Sequence, residues 1–248
     1  MKIFKEIAGR IWALWGIISF VLTFLIIFIP SMITYLIPDP NGQRVFIRIS
    51  KIWMTVWLYM VGCPLKVKGI NNFKKNISYI VTCNHNSMLD IPISCPFIPG
   101  ANKTIAKKSF VKVPLFGWFY RKGAVLVDRK SDASRRQSFD EMKKVLAGGM
   151  HMSIYPEGTR NRTGEPLKKF YEGAFKLAVA TGTAIIPAVI FNTKKAMPVN
   201  KSFYFIPHRL EMHFLEPVPA GTQTAEELKE KVFNLMKDYY VRQANYTN

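Results

Sequence analysis

Hydrophobic residues run almost without interruption through the first part of the chain. Residues 11–38 contain no charged side chain, and IWALWGIISFVLTFLIIFI (11–29) is long enough for a helix that crosses a bilayer. A second, shorter and Trp-rich stretch, IWMTVWLYMVGCP, covers residues 52–64. Three prolines and a glycine between the two stretches should break a continuous helix. They are Pro30, Pro38, Pro40 and Gly42. The pattern predicts two apolar helices within residues 1–64.

Basic residues precede each apolar stretch. Lys2, Lys5 and Arg10 precede the first, and Arg44, Arg48 and Lys51 precede the second. Because basic flanks tend to stay in the cytosol, both ends of the region should face it. We expect a membrane-embedded two-helix hairpin in the cytosolic leaflet of the inner or cell membrane, with one or two true spans as the alternative. A cleaved signal peptide fits poorly, since the run is too long and no small-residue cleavage site follows.

From residue 65 the pattern changes to short β-rich runs that alternate with helical ones. Strands are predicted at ISYIVTC (77–83), GAVLVD (123–128), HMSIY (151–155) and TAIIPAVIF (183–191). Apolar residues at helical spacing predict helices over 135–149 and 224–240, the latter opened by a capping box. This alternation predicts a single α/β domain over residues 65–248, built on a central, mostly parallel sheet.

Charge and cysteine usage indicate which partners and which cellular compartment suit the protein. Lysine and arginine outnumber aspartate and glutamate by 35 to 16, giving a formal net charge of +19. Such a balance indicates anionic partners. The apolar N-terminal region favours a phospholipid membrane over nucleic acid among them. The three cysteines show no metal-ligand spacing and no disulfide framework, which fits a reducing compartment.

The segment CNHNSMLDIP (83–92) carries the first candidate site. His85 and Asp90 are five positions apart, so they can meet only if the backbone turns between them. A strand that ends at Cys83, a polar turn and a helix that begins near Asp90 supply that turn, since Pro92 suits the first turn of a helix. Asp90 would then fix one imidazole nitrogen and leave the other as a proton acceptor. The alternative is a loop histidine beside a helix-capping aspartate.

The second candidate site lies in the segment SIYPEGTRNRTGEPLKKFYEG (153–173). A strand breaks at Pro156 and exposes Glu157, Gly158, Thr159 and Arg160 in a turn, before a helix that begins near residue 172 or 173. Glycine lets the backbone approach a ligand closely, and arginine binds phosphate in bidentate fashion. Arg129, after GAVLVD, is a further candidate phosphate contact. The alternative is a surface ion pair between Glu157 and Arg160, and no P-loop motif is present.

Together these segments resemble a known family. NHNSMLD is similar to the HX4D block of the glycerolipid acyltransferases, GAVLVDR to their second block, YPEGTRNRTG to their EGTR block and AIIPAVI to their fourth. The order and spacing also agree, from about residue 65 to residue 215. The apolar N-terminal region and the stretch IAKKSFVKVPLFGWFYRKGAVLVDR (105–129) resemble the same family.

The resemblance implies acyl transfer from acyl-CoA or acyl-carrier protein to the 2-hydroxyl of lysophosphatidic acid (1-acylglycerol 3-phosphate), giving phosphatidic acid. His85 would be the general base and Asp90 its orienting partner. Lys107 would polarise the thioester carbonyl, with Lys108 as the alternative. Arg129, Glu157, Gly158, Thr159 and Arg160 would bind the acceptor's glycerol phosphate. No metal and no cofactor other than the acyl donor is implied.

Several alternatives stay open at this point. The family's Phe-Lys-Lys-Gly run is Phe170-Tyr171-Glu172-Gly173 here, which is compatible with a different head group. The acceptor would then be glycerol 3-phosphate, a lyso-ornithine lipid or another lysolipid. A covalent acyl-enzyme on Cys83 or Ser87 is disfavoured because Cys83 should lie inside a strand. A non-catalytic membrane protein that binds anionic lipid is the remaining alternative. We expect His151, His208 and His213 to be structural and without partners.

Overall fold

Seven strands and eight α-helices make up the described part of the chain, residues 2–246 of a computed structural model, with side chains described for residues 3–243. The strands are β1 (Leu65–Lys68), β2 (Ile80–Cys83), β3 (Asn102–Lys107), β4 (Ala124–Val127), β5 (His151–Ile154), β6 (Ile185–Phe191) and β7 (Leu210–Phe214). The helices are α1 (Lys2–Ile33), α2 (Asn41–Met60), α3 (Asp90–Ser94), α4 (Phe116–Gly123), α5 (Asp132–Ala147), α6 (Gly173–Thr181), α7 (Thr193–Ala196) and α8 (Ala225–Tyr246).

The strands form one sheet in the order β1-β7-β6-β2-β5-β3-β4. The five strands from β6 to β4 are mutually parallel, whereas β7 runs antiparallel to β6 and parallel to β1. The predicted mostly parallel α/β sheet is therefore confirmed. The carboxyl ends of parallel strands share one edge of the sheet, where ligands of open α/β folds bind. The segments that follow β2, β3, β4, β5 and β6 all leave the sheet at that edge.

Each face of the sheet is covered by a different set of helices. On one face α5, α6 and α8 pack over a core that includes Met152, Phe175 and Val232. On the other face the N-terminal helices pack over a second core, in which Trp57 and Leu58 of α2 join Val81 of β2 and Ile186 of β6. Strands β2 and β6 are buried along their whole length, as expected for strands covered on both sides.

Helices α1 and α2 lie antiparallel. Tryptophans of each helix donate hydrogen bonds to backbone carbonyls of the other helix or of the residue that follows it. Trp12 and Trp15 of α1 donate from Nε1 to the carbonyls of Val61 and Met60, while Trp57 of α2 donates to the carbonyl of Gly16. The stretch Ile3–Leu36 is long and apolar enough to cross a membrane, and only 22% of its apolar window is buried within the protein.

The helix boundaries correct two details of the predicted hairpin. Pro30 lies inside α1 instead of ending it, and the break falls at residues 34–40, in a 3-10 turn and the loop after it. Helix α2 begins at Asn41, well before the apolar stretch 52–64, and ends at Met60. Each helix begins in the polar flank that precedes its apolar stretch, and the two helices are separated by residues 34–40.

The remaining elements follow the pattern with fewer changes. Strand β2 begins at Ile80, three residues later than predicted, and β1, β3 and β7 were not predicted. All three interleave polar or charged residues with apolar ones, and β1 alternates between half-buried and exposed residues. The predicted starts of α3 at Asp90 and of α6 at Gly173 are confirmed.

Candidate active site

The turn between β2 and α3 brings His85 and Asp90 together. His85 Nδ1 lies 2.9 Å from Asp90 Oδ2, and the two side chains are 13% and 0% exposed. An ionised carboxylate only accepts hydrogen bonds, so Nδ1 is the donor and Nε2 is left as the acceptor nitrogen. The alternative of a plain helix-capping aspartate is excluded by this direct contact.

Asp90 is also bonded from within its own turn. Its Oδ2 accepts hydrogen bonds from the backbone N–H groups of Asn86, at 2.6 Å, and Ser87, at 2.7 Å. Its Oδ1 accepts one from Thr193 Oγ1, at 2.5 Å. Together with the contact to His85, these hydrogen bonds engage both oxygens of the fully buried carboxylate. The result is a fixed carboxylate that holds the imidazole in one orientation.

Tyr155 packs against the other side of His85. The two rings lie 4.5 Å apart between centroids, tilted by 36°. The Tyr155 hydroxyl donates to the backbone carbonyl of Asp90 at 2.9 Å and lies 2.6 Å from Ser94 Oγ. Burial raises the pKa of Tyr155 well above its usual value. Tyr155 therefore stays neutral and acts as a fixed wall for the imidazole.

Glu157 is buried behind the site. Its side chain is 0% exposed, Oε1 accepts from the backbone N–H of His85 at 2.7 Å, and Oε2 accepts from the backbone N–H of Lys168 at 3.0 Å. Desolvation by burial raises the pKa of Glu157 to about 7. The structure thus places Glu157 where it ties the His85 turn to the loop before α6. It does not place Glu157 on the cleft wall, where a glycerol phosphate would contact it.

An open cleft of about 650 Å³ lies in front of His85. Five of its lining side chains are cationic, and none of its described lining residues is acidic. The cations are Lys107, Arg129, Arg160, Arg162 and Lys168. Apolar Met88, Ile91 and Phe110 also line it. A cavity with one basic wall and one apolar wall suits an amphiphile that carries an anionic head group.

Most of the predicted ligand-binding residues meet at this cleft. Lys107 lies at the end of β3 and lines the cleft, whereas Lys108 does not. Gly158, Thr159 and Arg160 line the wall that follows β5. Arg129 joins the same wall, because its guanidinium donates to the carbonyl oxygen of Gly158.

Two features favour glycine at position 158: its backbone conformation and a close neighbouring side chain. Its φ is +69°, in the left-handed region, and a Cβ there would lie 2.8 Å from the ring of Tyr171. The predicted turn thus needs glycine for its shape. The alternative ion pair between Glu157 and Arg160 is wrong, since both Glu157 oxygens bond to backbone N–H groups.

Other candidate nucleophiles and ligands are buried or engaged elsewhere. Cys83 lies inside β2 with 0% exposure, and burial raises the pKa of its thiol well above the usual value. Ser87 Oγ donates to the carbonyl of Met197.

The expectation that the other histidines have no partners is wrong for His151, which accepts from the backbone N–H of Tyr79, and for His213, which contacts Glu211 and Tyr239. Within the described residues, no three or more histidine, cysteine, aspartate or glutamate side chains cluster in a way that could hold a metal ion.

The sequence prediction missed three residues that shape the site. Tyr155 and Thr193 contact the His85–Asp90 pair, and Lys168 lines the cleft while its Nζ donates to Thr159 Oγ1 at 2.7 Å. Tyr155 directly precedes the Pro-Glu-Gly turn, so its position was a usable signal. Thr193 had none, because it lies 103 residues from Asp90 in the chain.

Comparisons with known proteins agree with this geometry. An acyltransferase family model matches residues 64–191, more than half of the 248 residues. A 1-acyl-sn-glycerol-3-phosphate acyltransferase of Borreliella burgdorferi is 29% identical over 205 residues, 79% of each chain. One of Saccharomyces cerevisiae is 32% identical over 204 residues, 79% of this chain but 63% of its own length.

A solved structure shows the same fold over nearly the whole length. The crystal structure of a 1-acyl-sn-glycerophosphate acyltransferase from Thermotoga maritima superposes with a TM-score of 0.80, at 21% identity, over 98% of both chains. The residues matched by the family model include every described residue that lines the cleft, from His85 to Lys168. The chain belongs to the acyltransferase family.

Proposed function

We propose that this protein transfers an acyl group from acyl-CoA or acyl-carrier protein to the 2-hydroxyl of 1-acylglycerol 3-phosphate, producing phosphatidic acid. One observation carries the proposal: a His85–Asp90 pair at 2.9 Å faces a cleft with five cationic side chains. The names of the Borreliella and yeast relatives support the same acceptor. The apolar wall of the cleft suits the acceptor's acyl chain.

His85 acts as the general base. Nε2 takes the proton of the attacking hydroxyl, and Asp90 stabilises the imidazolium that forms. The hydroxyl oxygen then bonds to the thioester carbon, and the thiolate leaves and takes up a proton. A positioned base typically contributes about 10²- to 10⁴-fold to the rate. No covalent acyl-enzyme is needed, in keeping with the burial of Cys83.

Cationic side chains bind the charged parts of both substrates. Arg129, Arg160 and Thr159 hold the acceptor's phosphate, and Gly158, whose N–H donates to the carbonyl of Tyr155 and whose carbonyl accepts from Arg129, shapes the turn that carries them. Lys107, at the end of β3, donates to the thioester carbonyl oxygen as negative charge develops there. Donors aimed at such an oxyanion usually contribute more than the base does. Glu157 serves this site indirectly, through the backbone of His85 and Lys168.

The protein works at a membrane surface. Large apolar side chains are exposed along α1, among them Ile11, Ile26 and Ile29 at 64%, 74% and 68%. Trp118, 59% exposed, stacks on Phe28 of α1 and adds to this apolar surface. An acceptor and a product that are both lipids need not leave the bilayer to reach such a site. We place the catalytic edge on the cytosolic face, where the thioester donor is available.

The test is turnover by purified protein in detergent micelles. Release of free thiol and formation of phosphatidic acid are measured with acyl-CoA or acyl-carrier protein as donor, for wild type, His85→Ala and Asp90→Asn. We expect wild type to acylate 1-acylglycerol 3-phosphate and His85→Ala to lose about 10²-fold or more. His208→Ala is the matched control, because His208 lies outside the cleft and should keep full turnover.

Two other outcomes would redirect the proposal. Turnover on glycerol 3-phosphate or a lyso-ornithine lipid, with none on 1-acylglycerol 3-phosphate, would keep the chemistry and replace the acceptor. Absence of thiol release with every acceptor, together with vesicle binding unaffected by His85→Ala, would leave a lipid-binding protein instead of an enzyme.

A further inference from the structure

Asp90 receives one hydrogen bond from outside its own turn. Thr193 Oγ1 lies 2.5 Å from Asp90 Oδ1, and both side chains are 0% exposed. His85 and the two backbone donors all bond to the other oxygen, Oδ2. Thr193 is therefore the donor that the structure gives to Oδ1.

Thr193 is held in place by several independent contacts. Asn192, just before it, has a φ of +69°, an uncommon value that turns the chain sharply from β6 into α7. Asn84 bonds the backbone of Ile190 in both directions, at 2.9 and 2.6 Å. Ser87 Oγ donates to the carbonyl of Met197 at 2.8 Å. The segment after β6 is thus fixed against the His85 turn at both of its ends.

We propose that Thr193 is a positioning residue for acyl transfer, which keeps Asp90 ionised and oriented so that His85 presents Nε2 to the acceptor hydroxyl. The proposal rests on the proposed function, since it concerns the same general base. Thr193 acts through Asp90 and does not itself touch the substrate, because it is absent from the cleft wall. The order is Thr193 to Asp90 to His85, with each member bonded to the next.

The surroundings of Asp90 make this donor important. The titratable groups that interact electrostatically with Asp90 are His85 on its own turn, Cys83 on β2, Tyr155 and Glu157 after β5, and Tyr240 on α8. Of these, only His85 offers a positive charge when protonated. A fully buried carboxylate oxygen without a donor would bear its whole desolvation cost.

Loss of the Thr193 hydroxyl should make the His85–Asp90 pair bind a proton more readily. Without that hydroxyl, Oδ1 of the buried carboxylate has no donor among the described residues, which disfavours the anion relative to the protonated pair. Once protonated, the pair has no free lone pair on Nε2: either the imidazolium forms, or the proton on Asp90 reverses the tautomer. The base is lost in both cases.

The experiment compares Thr193→Val, which removes only the hydroxyl, with Thr193→Ser, which restores it. We expect Thr193→Val to lower kcat about 10- to 100-fold with little change in the KM of the acceptor. The acid limb of its pH–rate profile should move to higher pH. Thr193→Ser should return both values toward wild type. Thr82→Val is the matched control, since Thr82 is equally buried and its hydroxyl donates to the sulfur of Met236, away from the His85–Asp90 pair.

A second measurement does not depend on knowing the acceptor. Diethyl pyrocarbonate modifies the neutral Nε2 of histidine, and peptide mass spectrometry follows its rate at His85 as a function of pH. The midpoint of this curve should rise in Thr193→Val and return in Thr193→Ser, even if the proposed acceptor proves wrong. A folded Thr193→Val protein with an unshifted midpoint, or a shift that Thr193→Ser does not reverse, would overturn the proposal.

Discussion

Glu157 gives the folded protein a pH dependence that can be worked out from the structure. Burial raises the pKa of its carboxyl to about 7, against an ordinary value of 4.5. The folded state therefore holds a proton that the unfolded chain has released. This contribution to stability is complete below pH 4.5 and is lost as the pH rises through about 7.

The magnitude follows from the two pKa values of Glu157. Linkage gives about 1.4 kcal/mol of stabilisation at pH 6 and about 0.1 kcal/mol at pH 8, a loss of about 1.3 kcal/mol. For a chain of this length, that corresponds to a fall of about 3–5 °C in the melting temperature. The pH dependence of wild-type stability alone would not isolate this effect, because His151 has an opposite one. Burial lowers the pKa of His151 to about 4, so it is neutral in the fold, and its contribution to the stability of the protein increases as the pH rises toward and through 6.5.

The assay compares wild type with Glu157→Gln, which resembles the protonated carboxyl at every pH. Melting temperatures are measured by circular dichroism in the same detergent at pH 6, 7 and 8. The variant is expected to gain on wild type by about 1.3 kcal/mol between pH 6 and pH 8, because His151 and all other groups cancel in the difference. If wild type instead gained on the variant as the pH rose, the two backbone donors would outweigh burial and the reasoning would be refuted.

Two further predictions concern the buried thiol and the N-terminal helices. Cys83→Ser should retain wild-type turnover, and thiol reagents should leave the folded enzyme active; inactivation that Cys83→Ser prevents would instead support an acyl-enzyme. Deletion of residues 1–60 should leave a chain that aggregates or binds a hydrophobic dye, because it uncovers the side chains packed beneath α2, including Val81, Ile93 and Ile186. Cooperative unfolding of soluble 61–248 would contradict this.

The parts of the site that lie close together in sequence were predictable, and the parts that depend on the sheet order were not. His85 and Asp90 share a five-residue turn, so strand, turn and helix signals were enough to bring them together. Thr193 reaches Asp90 only because β6 lies next to β2 in the sheet, with Thr82 opposite Pro187. No local pattern contains that adjacency.

Glu157 also shows a limit of prediction from sequence: its turn was predicted, but the orientation of its side chain was not. The sequence placed it in an exposed turn with Arg160, and the turn does exist, with Gly158 at its tip. The carboxylate nevertheless points inward, because the backbone N–H of Lys168 and that of His85 both converge on it. Whether a turn residue faces a ligand or the interior depends on the path of the following loop, which no periodicity describes.

The N-terminal helices and the catalytic turn belong to one packed core. Trp57 and Leu58 of α2 share it with Cys83, just before the catalytic turn, and with Ile93, one helical turn after Asp90. Close-packed interiors transmit displacement instead of absorbing it. Helices α1 and α2 therefore help to fix the position of the strand end that carries His85. In the proposed function these are the helices at the membrane surface, so we expect a change in their placement to alter the orientation of His85 as well.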